Sequence, residues 1–156
     1  MTGVQTCALP ISVYASSSQL VGNVYRVDRP RTLTKIEEFL TVSGTSVFTW
    51  VVYEGTSPTG TFTKVFERTS SASGASVYIS SGALSVPLTV GKYYMLGVLV
   101  QGSFTRYLNQ TGVQPFVSFG QAYYYSVQLS ASSAPATFST GFFTYALNNQ
   151  RISTAQ

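Results

Sequence analysis

Reactive side chains are scarce in this chain. Its 156 residues include no histidine, one cysteine (Cys7) and five carboxylates: Asp28, Glu37, Glu38, Glu54 and Glu67. Without histidine, a Ser, Cys or Thr nucleophile lacks its usual base, and a zinc site lacks its nitrogen ligands. A glycosidase needs two carboxyl groups flanking one bond. Glu37 and Glu38 are adjacent, and neighbouring side chains of a strand point to opposite faces, so they do not form that pair. Calcium takes carboxylate and carbonyl oxygens, which makes Asp28 and Glu54, beside loops, the weak calcium candidates. No run of alternating acids accompanies them. The chain is therefore expected to be no enzyme and to carry no cofactor, with calcium as the minor alternative.

Aromatic side chains are the more suggestive feature, with 11 Tyr, 10 Phe and one Trp. Tyr123, Tyr124 and Tyr125 run consecutively, so on a strand Tyr123 and Tyr125 share a face. An apolar ring ending in a polar hydroxyl suits a half-wet surface that stacks on sugar rings. Tyr107 and Asn109, near the following loop, complete the candidate ligand site. The competing reading is that tyrosine, a good strand former, simply fills the core and its rim. Trp50, inside a run that is apolar on both faces, with Val47, Val51 and Tyr53 alternating with Phe48, Trp50 and Val52, is expected in the core.

Nine Lys and Arg against five acids give a net charge of +4. Arg26, Arg29, Arg31 and Lys35 cluster, but Asp28, Glu37 and Glu38 interrupt them, and a nucleic-acid binder needs a denser basic stripe with interleaved aromatics. The cluster reads as a solvated strand end, and no nucleic-acid partner is expected. Charged residues make up only 9% of the chain, against roughly 25% in an average soluble domain. Ser, Thr, Gly, Asn and Gln must wet the surface, a profile of exported β-proteins. No run approaches the roughly 20 apolar residues of a spanning helix, and the start lacks the basic and apolar regions of a leader. The expected setting is extracellular or cell surface, with the true N-terminus missing.

Period-two patterning rich in Val, Thr, Tyr and Phe, punctuated by Gly, Ser, Asn and Pro, predicts strands almost throughout. The pattern places them at residues 20–27, 32–42, 47–53, 62–67, 77–79, 84–88, 93–101, 104–108, 116–119, 123–129 and 138–147. Loops are expected at 54–60, at the Ser-rich 69–75 and at 130–136. Gly102-Ser103 fits a two-residue hairpin, and Pro87 marks an edge strand. The predicted fold is all-β: an antiparallel two-sheet β-sandwich of about ten strands, in jelly-roll form.

Residues 1–11, MTGVQTCALPI, resemble the translation of a common short-read sequencing adapter. That resemblance implies that residues 1–12 are not native, that Cys7 has no functional meaning, and that 13–156 form one module of a longer protein with neighbouring domains. A second resemblance lies in Phe48 to Tyr53 followed by Glu54-Gly55, then Gly60-Thr61-Phe62, Val86-Pro87-Leu88 and Gly91-Lys92-Tyr93-Tyr94. Over residues 22–100 the chain is similar to bacterial secreted β-sandwich domains, which include carbohydrate-binding-like and adhesin-like modules. The resemblance implies export and accessory status, and transfers no binding residue. The expected function is a non-catalytic extracellular module binding glycan or surface polymer. The alternative is a structural spacer or assembly unit of an adhesin, appendage or phage-like particle.

Overall fold

The computed structural model describes residues 12–109, 116–139, 143–144 and 147–156. Eleven strands and no helix occur among them: β1 (Ser12–Val27), β2 (Arg31–Gly55), β3 (Thr61–Ser80), β4 (Val86–Leu88), β5 (Tyr93–Asn109), β6 (Phe116–Val117), β7 (Gly120–Ser130), β8 (Thr137–Ser139), β9 (Phe143–Thr144), β10 (Leu147–Asn148) and β11 (Gln150–Ala155). All pair antiparallel into one continuous sheet, ordered β6-β7-β1-β5-β2-β3-β8, with β4 and β11 on β2, β10 on β5 and β9 on β7. The all-β, antiparallel class is as expected. Every described strand belongs to a single sheet, where two sheets in jelly-roll form were expected.

Strand length is where the sequence pattern misleads. The predicted strands 32–42 and 47–53 are one 25-residue strand, β2. Likewise 93–101 and 104–108 are one strand, and Gly102-Ser103 is no hairpin: β1 and β2 pair with β5 on both sides of it. The chain bends there instead. Residues 43–47 of β2 lie opposite 101–103 of β5, and β1 slips register between Ser17 and Gln19. Left-handed backbone angles gather in this stretch, at Ser18 (φ 43°), Gly44 (72°) and Gly102 (88°). A missing Cβ lets glycine adopt such angles without strain. A hairpin glycine and a bend glycine look alike in sequence, which is why the two were confused.

The Ser-rich segment expected as a loop is also strand. β3 pairs with β2 through it, Thr69 opposite Thr49 and Ser71 opposite Val47. It lacks apolar alternation because it runs along the border of the sheet, where most of its side chains are exposed. The predicted strand 138–147 divides into β8, β9 and β10, and the terminal residues form a further strand, β11, along β2. The end of a strand at Val27 and the edge position of Pro87 are as predicted.

Central strands bury both faces, so their side chains alternate between two cores. On β5, Tyr94, Leu96, Val98 and Val100 enter one cluster while Met95 and Leu99 enter the other; on β2, Phe48, Trp50 and Val52 oppose Val51 and Tyr53 in the same way. The larger cluster also takes Leu33, Ile36 and Leu40 from β2 before the bend and Leu84, Val86 and Leu88 from the following segments. Side chains from both sides of the bend thus share one interior. Full burial of each such side chain contributes about 1.5–3 kcal/mol.

Candidate binding site

Tyr107 is the sequence-predicted site residue whose side chain is described. The side chains of Tyr123, Tyr125 and Asn109 lie outside the described residues. Their backbones run in β7 and at the end of β5, and β7 carries a register shift between its partners Asn23 and Val24.

Tyr107 faces outward from β5, as alternation with buried Arg106 and Leu108 requires. Phe39 of β2 and Tyr78 of β3 occupy the same outer face, directly opposite each other in register. The three rings form a row across the sheet: Tyr107 to Phe39 at 4.9 Å between centroids and 64° between planes, and Phe39 to Tyr78 at 5.0 Å and 56°. The first pair is edge-on and the second tilted; aromatic pairs at these distances contribute about 0.5–1.5 kcal/mol each beyond burial. All three remain half-buried, so part of each ring still meets solvent.

Polar groups fix both ends of the row. The Tyr107 hydroxyl lies 2.9 Å from Ser76 Oγ and 3.0 Å from Thr41 Oγ1. These hydrogen bonds, that with Ser76 first, lower the Tyr107 phenol below its ordinary range. Tyr78 donates its hydroxyl to Asn149 Oδ1 at 2.7 Å, and the Arg151 guanidinium lies 3.7 Å above the Tyr78 ring. Arg151 sits opposite Glu37 in register, and Glu37 pairs with Lys35 at 3.2 Å. Beside Tyr107, where β1, β2 and β5 bend, a shallow, open depression of about 440 Å³ is lined by Ala15, Ser17, Thr41, Ser43, Phe104 and Thr105 among others. Thr41 belongs to both the row and the depression. Rings, hydroxyls and amides in this arrangement suit a polyhydroxylated ligand with apolar C–H faces.

Sequence reasoning missed Phe39 and Tyr78. One signal was available: Phe39 lies between Glu37 and Thr41 on the face opposite Ile36 and Leu40, so an outward Phe among polar neighbours could have been marked.

Carboxylates are disposed differently. Asp28 and Glu54, the calcium candidates, engage basic side chains, Arg26 at 3.5 Å and Lys92 at 3.3 Å. Glu54 also accepts the Tyr94 hydroxyl at 2.6 Å. Among the described residues, no group of three or more His, Cys, Asp or Glu side chains is placed to hold a metal ion. Glu67 pairs with Lys64. Glu37 and Glu38 do point to opposite faces, and Glu38 is fully buried. Burial pushes its carboxyl up to about 8, against the opposing pulls of Gln150 and the Arg106 charge. A shifted acid in a cleft would suggest catalysis; this one is sealed in the interior, beside Gln150 and Arg106. Trp50 is likewise buried, its Nε1 donating to Ser70 Oγ at 2.9 Å.

Comparison with protein-family models, with curated proteins and with solved structures gave no match.

Proposed function

We propose that this chain is a non-catalytic accessory module of an exported protein, binding a glycan or surface polymer on the outer face of its sheet. The observation that carries this reading is the row Tyr107–Phe39–Tyr78, half-buried, hydrogen-bonded at both ends and continuous through Thr41 with a shallow, open depression. Supporting it is the chemistry of the surface around the row, which offers hydroxyl, amide and guanidinium groups and no exposed carboxylate without a basic partner among the described residues. The rings are tilted by 56° and 64°, which suits a twisted single chain better than a flat crystalline surface.

The sandwich expected from the sequence enters the proposal in a modified form. One sheet folded across its bend serves as both layers, a reading supported by hydrogen bonds from Asn23 and Tyr25 on β1 to Asn148 and Gln150 of β10 and β11. An extracellular or cell-surface setting is supported by the 9% charged composition. No helix among the described residues is long and apolar enough to cross a membrane.

Glycan-array binding, followed by calorimetry on any ligand found, tests the reading. The parent chain binds and Tyr107→Ala/Tyr78→Ala does not, with unchanged circular dichroism. A parent that binds no glycan, or a double variant that binds as well as the parent, refutes it.

A further inference from the structure

The two borders of β3 are treated very differently. On one side β2 pairs with it from Thr63 to Ser80. On the other, β8 covers only Thr61 to Thr63, and the Lys64 N–H donates to the Ala136 carbonyl at 2.8 Å. Beyond Lys64, no described strand pairs with this side of β3. Such a border presents a row of backbone donors and acceptors, a template for another strand.

Natural edges are blunted with lysine, proline, inward charge or a β-bulge. Residues 69–80, TSSASGASVYIS, contain no lysine, proline or charge, and the one such device they carry is the irregularity at residues 73–76. Ser73, Ala75, Ser76 and Val77 are exposed, and their small size lets a second backbone approach. Farther along the same border Val65 is 51% exposed.

We propose that this edge joins two copies of the chain, β3 pairing antiparallel with β3 of its partner across a twofold axis beside Gly74. The shape of the strand selects the occupant. β3 slips register against β2 around residues 73–76, where Ser76 stands at φ 53°. A partner can follow the edge on both sides of that irregularity only if it is irregular at the same place. A second copy related by an axis at that point meets the condition, as an isologous contact does by symmetry. Charge agrees. The chain carries +4 overall, so copies repel across most of their surface, while the stretch from Thr69 to Ser80 is neutral and Glu67 and Arg68 beside it cancel. The inference goes beyond the carbohydrate reading and does not rest on it.

Sedimentation equilibrium of the full chain from micromolar to millimolar concentration tests it. The parent shows a monomer–dimer equilibrium. Ser73→Lys/Ala75→Lys and Ser73→Glu/Ala75→Glu each weaken self-association by more than about tenfold, because like charges meet across the axis. An equimolar mixture of the two variants restores the dimer as a heterodimer, a result that requires both to be folded. A parent that stays monomeric at millimolar concentration overturns the proposal. So does a Lys variant that dimerises like the parent, or a mixture that stays monomeric while both variants keep the parent's circular dichroism.

Discussion

The side chain of Asn23 pairs with the backbone of Asn148 as a neighbouring strand would. Asn23 Nδ2 donates to the Asn148 carbonyl at 2.9 Å, and the Asn148 N–H donates to Asn23 Oδ1 at 2.8 Å. Both residues are buried, at 2% and 1% exposure. Asn23 Nδ2 also reaches Gln150 Oε1 at 3.1 Å, Tyr25 donates to the same oxygen at 2.9 Å, and Gln150 Nε2 donates to the Leu96 carbonyl at 2.9 Å. Side chains thus tie β10 and β11 to β1, and β11 to β5, where no backbone ladder joins them; β10 itself is laddered to β5.

Truncating that stitch is costly because its partners stay buried. Asn23→Ala leaves the Asn148 N–H and carbonyl without a partner in the interior, and an unsatisfied buried polar group costs about 1–3 kcal/mol. The expected loss is roughly 2–4 kcal/mol in urea unfolding, with an unchanged m-value. A loss below about 1 kcal/mol means that these amides are not the tie between the segments.

Glu38 predicts how stability varies with pH. Its carboxyl lies at about 8 in the folded chain and near 4.5 when unfolded, with desolvation as the main cause. Between those values the folded state holds a proton that the unfolded state has released. Its contribution is therefore complete below pH 4.5 and is lost as pH rises through 8, a change of the order of 5 kcal/mol. Glu38→Gln, which cannot ionise, flattens this dependence in unfolding free energies measured from pH 5 to 9. A parent whose stability is level over that range rules out the shift.

Gly22 and Gly97 face each other across β1 and β5. A Cβ on Gly22 meets the Leu96 carbonyl oxygen at 2.5 Å and the Gly97 Cα at 2.7 Å, with Met95 Sδ at 2.8 Å. The first two are backbone atoms of a central strand and cannot give way. Gly22→Ala is expected to destabilise by about 1–3 kcal/mol or more, the range for overpacking. The same change at Gly91, with no atom within 4 Å of its Cβ, carries only the backbone strain of φ 81°. Thermal unfolding of the two variants side by side checks the order, which reverses if the strands separate easily.

Fold class was legible because alternation at Val47 to Tyr53 and Tyr93 to Val100 reports strands directly, and burial of Trp50 followed from apolar residues on both sides. Strand continuity was not. Period two stops at Gly102 and at the Ser-rich residues 69–75 for physical reasons unrelated to chain reversal: a bend needing positive φ, and a border wetted on most positions. Of the aromatic row, Tyr107 was legible as a candidate from its type and position, but Phe39 and Tyr78 join it only through pairing between strands far apart in sequence. The polar interior around Glu38 was hidden for the same reason, since a lone Glu between Glu37 and Phe39 gives no sign of its partners.

Tyr107 also predicts a titration order that reads the site without any ligand. Hydrogen bonds from Ser76 and Thr41 lower its phenol, whereas burial raises those of Tyr25, Tyr53 and Tyr94 above their ordinary value. Among these four, Tyr107 is therefore expected to ionise first as pH rises, in carbon NMR of tyrosine-labelled protein assigned with Tyr107→Phe. Ser76→Ala removes the larger of the two stabilising bonds to the phenolate, so it moves the Tyr107 transition upward and leaves the other three in place. A Tyr107 transition above that of Tyr94, or one unmoved by Ser76→Ala, means that the hydroxyl is not held between Ser76 and Thr41 and that this end of the aromatic row is open.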